Sequence, residues 1–313
     1  MADLPYLKNH PMTSQQPYDV IIIGGSYAGL SAAMALGRSL RKVLIIDSGK
    51  PCNRQTPHSH NFITHDGAIP AAIAMKAKEQ VLQYQTVQFY PGLATSVNAT
   101  GPGFEIGTRS GDNFFARKLL FATGIKDTMP AIDGFAECWG ISVIHCPYCH
   151  GYEVRGEKTG LFSNGAAAFE MARLISNLTD DLTLFTNGPS TLEPEQSDLL
   201  SGRNIPIVEL EISRIEHTNG RMQHLIFKDG SNLPITAMYA KVDFTQHSEL
   251  PLVLGCETDE NGFLQVDGMQ MTNVNGVYAS GDCAGSMRSV AAAVFCGNKA
   301  GAVLNKVLVG EDF

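Results

Sequence analysis

A glycine-rich turn near the beginning of the chain is the feature that most restricts its fold. The turn GGSYAG (residues 24–29) joins the apolar run Tyr18–Ile23 to an Ala- and Leu-rich segment, and a second apolar run ends in Asp47. A short apolar run that ends in glycines is typical of a buried parallel strand, so the order predicts a βαβ unit. In such a unit the helix N-terminus offers N–H groups and a partial positive charge to a pyrophosphate. The chain is therefore predicted to begin with a nucleotide-binding α/β fold.

Four residues of this unit are the predicted ligand-binding positions. Gly24 permits the tight turn, Gly29 lets the helix pack closely on the strand, and Ser26 stands where the usual pattern has its middle glycine. Asp47 ends the second strand, where it can accept hydrogen bonds from an adenosine ribose. The motif alone leaves open a tight strand-to-helix turn that binds no ligand.

The charge pattern argues against several classes of partner. The 313 residues carry a net charge of −8 at pH 7, and the longest run of Lys and Arg is Arg41-Lys42. Such a chain is not expected to bind nucleic acid or an anionic membrane surface. No stretch is long and apolar enough to span a bilayer, and residues 1–17 lack the apolar segment of a secretory signal. Seven cysteines, mostly isolated, fit a reducing compartment. We therefore predict a cytoplasmic protein whose residues 1–17 form a flexible arm.

Cys146 and Cys149 form the most informative pair in the chain. They belong to the segment CPYCHGYE (residues 146–153), where their spacing lets them close a small disulfide at the start of a helical turn. A thiol at a helix N-terminus has a lowered pKa, and its thiolate is the attacking species. His150 follows directly and can move the proton that electron transfer to a disulfide requires. These three residues are the predicted catalytic set.

A CxxC pair also occurs in zinc sites and in thioredoxins, and both fit this chain less well. A structural zinc site would need about four ligands, of which this pair would supply half, but the sequence holds no second CxxC. A thioredoxin motif would follow the first strand of a much smaller fold. His58, His60 and His65 have no cysteine or carboxylate frame beyond Asp66, so we favour a surface or cofactor-side loop over a metal site there. No metal ligand is predicted.

Two later segments match patterns seen in FAD-dependent pyridine-nucleotide-disulfide reductases. They are Ala122-Thr123-Gly124, at the end of an apolar run, and Gly281-Asp282, before a predicted helix from about residue 287 to residue 309. The resemblance implies that Asp282 binds the ribityl chain of FAD and that the helix N-terminus points at the flavin ring. Arg288 matches the family position near the flavin. The predicted cofactor is therefore FAD.

The order of these motifs resembles that of the low-molecular-weight thioredoxin reductases over residues 18–310. The resemblance implies two doubly wound, Rossmann-like, three-layer α/β domains. The FAD-binding domain would be discontinuous, made of residues 18–126 and 245–313, and residues 127–244 would form an inserted pyridine-nucleotide-like domain with the CxxC pair. It further implies that Cys149 faces the flavin, that Cys146 attacks the partner disulfide, and that the chain is a homodimer.

Two departures separate the chain from that family's usual pattern. His150 replaces an aspartate that acts as proton donor, and CxxC followed by His-Gly-Tyr-Glu is more similar to a subgroup with the gliotoxin and holomycin dithiol oxidases. In the second βαβ unit, SNGAAA (residues 163–168) lacks the first glycine of GxGxxA, and TNGP (residues 186–189) replaces a cationic cluster for the NADPH 2′-phosphate. A dianionic phosphate without a cationic partner binds poorly. NADPH is therefore a doubtful donor, and ferredoxin or a dithiol is a candidate in its place.

The sequence thus predicts an FAD-dependent thiol-disulfide oxidoreductase whose partner is a thioredoxin-like protein or a small dithiol or disulfide. A disulfide reductase would carry electrons from a donor to FAD, then to the cysteine pair, then to the partner. A dithiol oxidase would run the same path in reverse, with O₂ as the acceptor. A flavin redox sensor without turnover is the third hypothesis, and the intact CxxC pair argues against it.

Overall fold

The computed structural model describes residues 17–313, so the predicted arm lies outside the described residues except for Pro17. The first part of the chain contains β1 (Tyr18–Ile23), α1 (Tyr27–Arg38), β2 (Val43–Asp47), α2 (Pro70–Val81), β3 (Val87–Pro91), β4 (Ala94–Thr100), β5 (Gly103–Thr108), β6 (Asn113–Phe121) and β7 (Ile125–Asp127). The middle part contains α3 (Phe135–Cys138), β8 (Val143–Ile144), α4 (Pro147–His150), β9 (Thr159–Phe162), α5 (Gly165–Ile175), β10 (Leu182–Phe185), α6 (Pro194–Ser201), β11 (Ile207–Val208), β12 (Ile212–Thr218), β13 (Arg221–Phe227), β14 (Asn232–Pro234), β15 (Ala237–Ala240) and β16 (Phe244–Gln246). The last part contains α7 (Leu250–Val253), β17 (Val277–Ala279) and α8 (Val290–Asp312).

The first sheet is a parallel sheet with an antiparallel extension. Its order is β3-β2-β1-β6-β5-β4, and β17 pairs with β6. Val20 and Ile22 of β1 enter the core on one face, whereas Ile21 and Ile23 enter the core on the other. Because side chains alternate along a strand, a run that is apolar at every position is buried on both faces. The predicted α/β class and doubly wound architecture are confirmed.

Helices α1 and α8 cover one face of this sheet and pack against each other at very short range. A Cβ added at Gly297 would lie 2.0 Å from the Ala28 carbonyl oxygen, and one at Gly301 would lie 2.6 Å from that of Ala32. Any side chain at these two glycines would push the helices apart. The pair α1–α8 therefore joins the beginning and the end of the chain.

The second sheet has the order β11-β10-β9-β15-β8, and its neighbouring strands are parallel. It has a core on each face, because Val143 enters one cluster and Ile144 the other. Strand β8 leads directly into Cys146 and α4, so the edge of this sheet positions the cysteine pair. Strands β12, β13 and β14 form a separate antiparallel sheet.

Strands β7 and β16 connect the two sheets. They pair with each other in antiparallel fashion, with Phe244 opposite Asp127 and Gln246 opposite Ile125. The predicted boundaries at residues 126/127 and 244/245 fall inside these strands, although the boundaries themselves stay predictions.

The starts of two helices follow from their sequence. Helix α2 begins at Pro70, and proline fits the first turn because its missing N–H costs nothing there. The last helix begins at Val290 rather than residue 287, because the Ser289 side chain caps it by accepting from the Ala292 N–H at 3.1 Å. No helix within residues 17–313 is long and apolar enough to cross a membrane.

Candidate active site

A cleft of about 1330 Å³ opens between the carboxyl ends of β1, β2, β6 and β17 and the segment that carries the cysteine pair. This edge of a doubly wound sheet is where such folds bind ligands. Most of the predicted residues line the cleft, namely Gly24, Ser26, Asp47, Ala122, Thr123, Gly124, Cys149, His150, Gly281, Asp282 and Arg288. Of the predicted set in the described chain, only Gly29 and Cys146 do not contribute to this lining. A Cβ at Gly29 would lie 1.9 Å from the Gly24 carbonyl oxygen, so Gly29 allows α1 to pack rather than contacting a ligand.

The turn between β1 and α1 has the shape of a phosphate cradle. Gly24 has a φ of +109°, and a Cβ there would lie 2.2 Å from the Ala122 carbonyl oxygen. Only glycine satisfies both the conformation and the space. The Asp47 carboxylate accepts from the Gly25 N–H at 3.0 Å and from the Gly49 N–H at 3.1 Å, which fixes it at the end of β2. The start of α1 is thus held open toward the cleft, as a dinucleotide requires.

Buried polar atoms farther along the cleft lack partners. Within residues 17–313, neither Thr123 Oγ1 nor Ser280 Oγ has a hydrogen-bond partner, although both atoms are buried. Burial raises the pKa of the Asp282 carboxyl group, with Arg288 opposing that effect. Its nearest polar contacts are long, at 3.9 Å to the Cys52 thiol and 3.8 Å to Arg288 Nε. Orphaned buried groups of this kind are rare unless a ligand completes them. The residues fit the FAD that the sequence predicts.

Asp127 organises the far end of the cleft, and sequence reasoning missed it. The Arg288 guanidinium donates to both its carboxylate oxygens, at 2.9 Å and 3.0 Å, and Trp139 Nε1 donates to it at 3.2 Å. All three side chains are largely buried. Asp127 lies on the three-residue strand β7, where no motif marks it, so the signal exists only in the folded chain. The ion pair fixes the Arg288 side chain at the cleft.

The two cysteines differ in environment. Cys146 is the N-cap of α4, and its Sγ accepts from the Cys149 N–H at 3.2 Å and lies 2.6 Å from the Cys149 Sγ. The hydrogen bond from the Cys149 thiol lowers the pKa of Cys146 to about 7; burial opposes this shift, and backbone N–H groups add to it. The same hydrogen bond raises the pKa of Cys149. Reduction of the pair therefore places the thiolate on Cys146 and leaves Cys149 facing the cleft.

Two histidines flank the pair. Burial lowers the pKa of His150, and the charge of His60 lowers it further, while Glu153 opposes both effects. Burial is also the main cause that lowers the pKa of His145 to about 4, so this ring is neutral at physiological pH. The buried Nε2 of His145 finds no hydrogen-bond partner among the described residues. Both rings line the cleft beside Cys149.

The loop histidines do not form a metal centre in the described chain. No group of three or more His, Cys, Asp or Glu side chains in residues 17–313 is arranged to hold a metal ion. His65 stacks on Phe62, with ring centroids 5.7 Å apart, whereas His60 reaches the cleft and His150. The loop is thus a cofactor-side loop at His60, whereas the half-buried His65 does not contribute to the cleft lining.

The start of α5, in the second sheet, differs from the start of α1. Asn164 Oδ1 accepts from the Gly165 N–H and the Thr191 N–H, both at 2.8 Å, and from the Thr191 hydroxyl at 3.2 Å. Asn164 Nδ2 donates to the Pro189 carbonyl at 3.0 Å, and the Glu209 carboxylate accepts from the Ser190 N–H at 2.8 Å. The loop after β10 is therefore fastened over this helix end by the chain's own polar groups.

Comparison with known proteins gives a consistent result over nearly the whole chain. The family described as pyridine nucleotide-disulphide oxidoreductase matches residues 18–297. Thioredoxin reductase tcpT of Claviceps purpurea is 30% identical over 96% of this chain and 97% of its own, and thioredoxin reductase sirT of Leptosphaeria maculans is 30% identical over 94% and 95%. The crystal structure of an oxidoreductase from Agrobacterium tumefaciens is 33% identical, has a TM-score of 0.88, and covers 94% of this chain and 99% of its own.

Proposed function

Because the chain belongs to the pyridine nucleotide-disulphide oxidoreductase family, we propose that it passes electrons between FAD and a dithiol or disulfide through Cys146 and Cys149. The chain is a disulfide oxidoreductase of the thioredoxin reductase type. The observation that supports the two residue roles is the asymmetry of the pair. Cys149 lines the cleft, while Cys146 lies outside that lining and has the lower pKa.

The two sulfurs have different roles because of these positions. The Cys146 thiolate exchanges with the sulfur of the partner, because a thiolate with a pKa near the ambient pH attacks efficiently. Cys149 is the sulfur that faces the flavin. The neutral His150 beside it takes up the Cys149 proton when the pair gives up electrons, as a general base with a lowered pKa can.

The cleft residues divide the binding of FAD among themselves. The Gly24 turn and the start of α1 would hold the pyrophosphate, Asp47 the adenosine ribose, and Asp282 the ribityl hydroxyls, with Thr123 and Ser280 as further partners. When bound, FAD supplies a ring that takes up or releases two electrons. Arg288, held by Asp127, would keep a fixed positive charge near that ring.

Closure of the second nucleotide site favours a dithiol over NADPH as the source of electrons. A pyrophosphate needs free N–H groups and space at a helix N-terminus. At α5 that space contains Asn164 and Thr191, and a Cβ at Gly165 would already lie 3.0 Å from the Thr191 hydroxyl. The nearby Glu209 adds negative charge where the 2′-phosphate would need a cation. The residues do not fit NADPH, so we infer that a dithiol is oxidised to a disulfide and that O₂ is reduced to H₂O₂.

An anaerobic titration of the purified yellow protein tests both the donor and the direction. We expect excess NADPH to leave the oxidised-flavin absorbance unchanged and dithiothreitol to bleach it. Air should then restore the absorbance, with one H₂O₂ formed per dithiol oxidised. Cys149→Ser should keep its FAD and lose only the bleaching by dithiol. Prompt bleaching by NADPH would overturn the inferred direction, and bleaching by reduced ferredoxin but not by dithiols would favour the reductase hypothesis.

The proposed function also includes a docking partner for the cysteine pair and a dimeric assembly. Tyr148 and Tyr152 are 68% and 67% exposed and lie close to the pair in sequence, which supports docking of a dithiol compound or a thioredoxin-like protein there. The family resemblance supports a cytoplasmic homodimer. Sedimentation equilibrium checks the dimer, and a protein that is monomeric throughout would contradict it.

A further inference from the structure

The loop after β2 presents His60 to the cysteine turn in a fixed position. Its base is closed by Ser59 and Ala68, whose N–H and carbonyl lie 2.8 Å apart, and the Gly67 N–H donates to the Ser59 carbonyl at 2.9 Å. The tip is closed by the Asn61 N–H, which donates to Asp66 Oδ1 at 2.7 Å. A loop with so many internal hydrogen bonds holds its side chains in place, so His60 is presented by a rigid support.

His60 links the half-buried His150 to two carboxylates. The two imidazole rings meet edge to face, with centroids 6.4 Å apart and planes at 87°. The Nδ1 of His60 lies 3.4 Å from Glu153 Oε1 and 3.7 Å from Asp66 Oδ1. The His60 side chain is 19% exposed, while those of Glu153 and Asp66 are 38% and 68% exposed. The four groups thus form a series that runs from the cleft to solvent.

The titratable surroundings of the two histidines come from both packed segments. The loop contributes Asp66 and His58, whose ring centroid is 6.4 Å from that of His60. The cysteine turn and the segments around it contribute Glu153 and His145. His150 itself is half-buried, and the carboxylates of Glu153 and Asp66 beside His60 are the more exposed groups of the series.

We propose that His60 is a positioning and proton-transfer residue that acts through His150 and exchanges the proton of the redox step with solvent by way of Glu153. This inference rests on the proposed function. When the reduced pair closes to a disulfide, the bond between Cys146 Sγ and Cys149 Sγ forms. Because Cys146 carries the thiolate, the pair gives up two electrons and one proton, and that proton leaves Cys149. The two electrons would pass to bound FAD, whose own proton would come from solvent. The Cys149 proton passes to His150, then through His60 to Glu153 and water.

The test is anaerobic stopped-flow reduction of the bound flavin by dithiothreitol between pH 5 and 9. We expect His60→Asn to slow reduction at pH 7 by roughly 10- to 100-fold, the lower part of the range for general acid–base catalysis. The bend in its pH profile should move to higher pH, because removal of the His60 charge raises the pKa of His150. Added imidazole should restore part of the rate. Glu153→Gln, which changes a partly exposed side chain, should show a smaller loss of rate. Its bend should move to lower pH, because the Glu153 charge raises the pKa of His150.

His65→Asn is the matched control, because His65 lies in the same loop but stacks on Phe62. It should leave the rate and the bend unchanged. An unchanged rate and bend in both His60→Asn and Glu153→Gln would overturn the proton route and leave the roles of the cysteines intact. If dithiothreitol fails to reduce the wild-type flavin, the proposed function itself fails. Flavin content and thermal melting establish that each variant is folded.

Discussion

The lowered pKa of Cys146 leads to a prediction that reagents can test directly. Its ordinary value of 9.0 falls to about 7, and the largest cause is the hydrogen bond from the Cys149 thiol. At pH 7 this makes Cys146 about half thiolate, whereas an unshifted thiol would be about 1% thiolate. The ratio of these two thiolate fractions sets the upper limit for the loss of rate when the Cys149 thiol, the hydrogen-bond donor, is removed. We expect Cys149→Ala to slow alkylation of Cys146 at pH 7 by roughly 10- to 50-fold, because only the thiolate reacts.

The assay is alkylation of the reduced protein by iodoacetamide from pH 5 to 9, with the modified residue assigned by fragmentation mass spectrometry. The rate at Cys146 should bend near pH 7 in the wild type and at higher pH in Cys149→Ala. Cys149→Ser, which keeps a hydroxyl donor, should show a smaller shift. A bend that stays in place in Cys149→Ala would refute the assigned cause. Alkylation of Cys149 before Cys146 in the wild type would refute the order of acidity.

Three further predictions concern the cofactor turn, the Asp127 cluster and the C-terminus. Gly24→Ala should lose its FAD, because the added Cβ would meet a carbonyl oxygen at 2.2 Å. Gly49→Ala is the control and should keep its FAD, because Gly49 also has a positive φ but has no described atom within 4 Å of an added Cβ. The ratio of flavin to protein absorbance measures the FAD content of both variants. Asp127→Leu should lower the free energy of unfolding by about 3–5 kcal/mol, because the buried Arg288 guanidinium loses its partner. Urea titration followed by the fluorescence of Trp139, the only tryptophan, measures this loss. A loss below about 1 kcal/mol would contradict the pairing. Partial burial raises the pKa of Glu311, but its ion pairs with Lys and Arg outweigh burial and lower the pKa overall. The stability that these ion pairs contribute is therefore present above the ordinary pKa of 4.5 and is lost as the pH falls through the lowered pKa. The melting temperature of Glu311→Gln should therefore approach that of the wild type below pH 4, and an equal gap at pH 7 and pH 3 would count against the ion pairs.

The sequence predicted the parts of the site that depend on local order. The Gly24 turn, the Asp47 strand end and the CxxC segment are each defined by neighbours in the chain, and the apolar runs beside them specify buried strands. Their meeting at one sheet edge follows from parallel topology, because parallel strands present their carboxyl ends on the same side. Gly281 and Asp282 arrive at the cleft from the far end of the chain for the same reason.

The sequence did not predict contacts between segments that no motif links. Asp127 stands on a three-residue strand, and its role depends on Arg288, which is 161 positions away. The link between His60 and Glu153 likewise depends on how a loop folds against α4. At α5 the sequence shows that the first glycine of the motif is missing. It does not show that Thr191 closes the start of the helix, because that contact depends on the path of the loop after β10.

The close contact between α1 and α8 has a consequence for synthesis on the ribosome. Gly297 fits against Ala28, so the apolar side of the first helix stays uncovered until α8 has been made. The middle segment, which contains the whole second sheet, emerges earlier with all its strands. We therefore expect it to become resistant to protease on stalled nascent chains that end at roughly residue 285, while the first sheet remains sensitive. Equal resistance of both parts at that length would contradict this order. Emergence of α8 would then be the event that completes the first sheet and its flavin cleft, so cofactor capture would follow the folding of the middle segment.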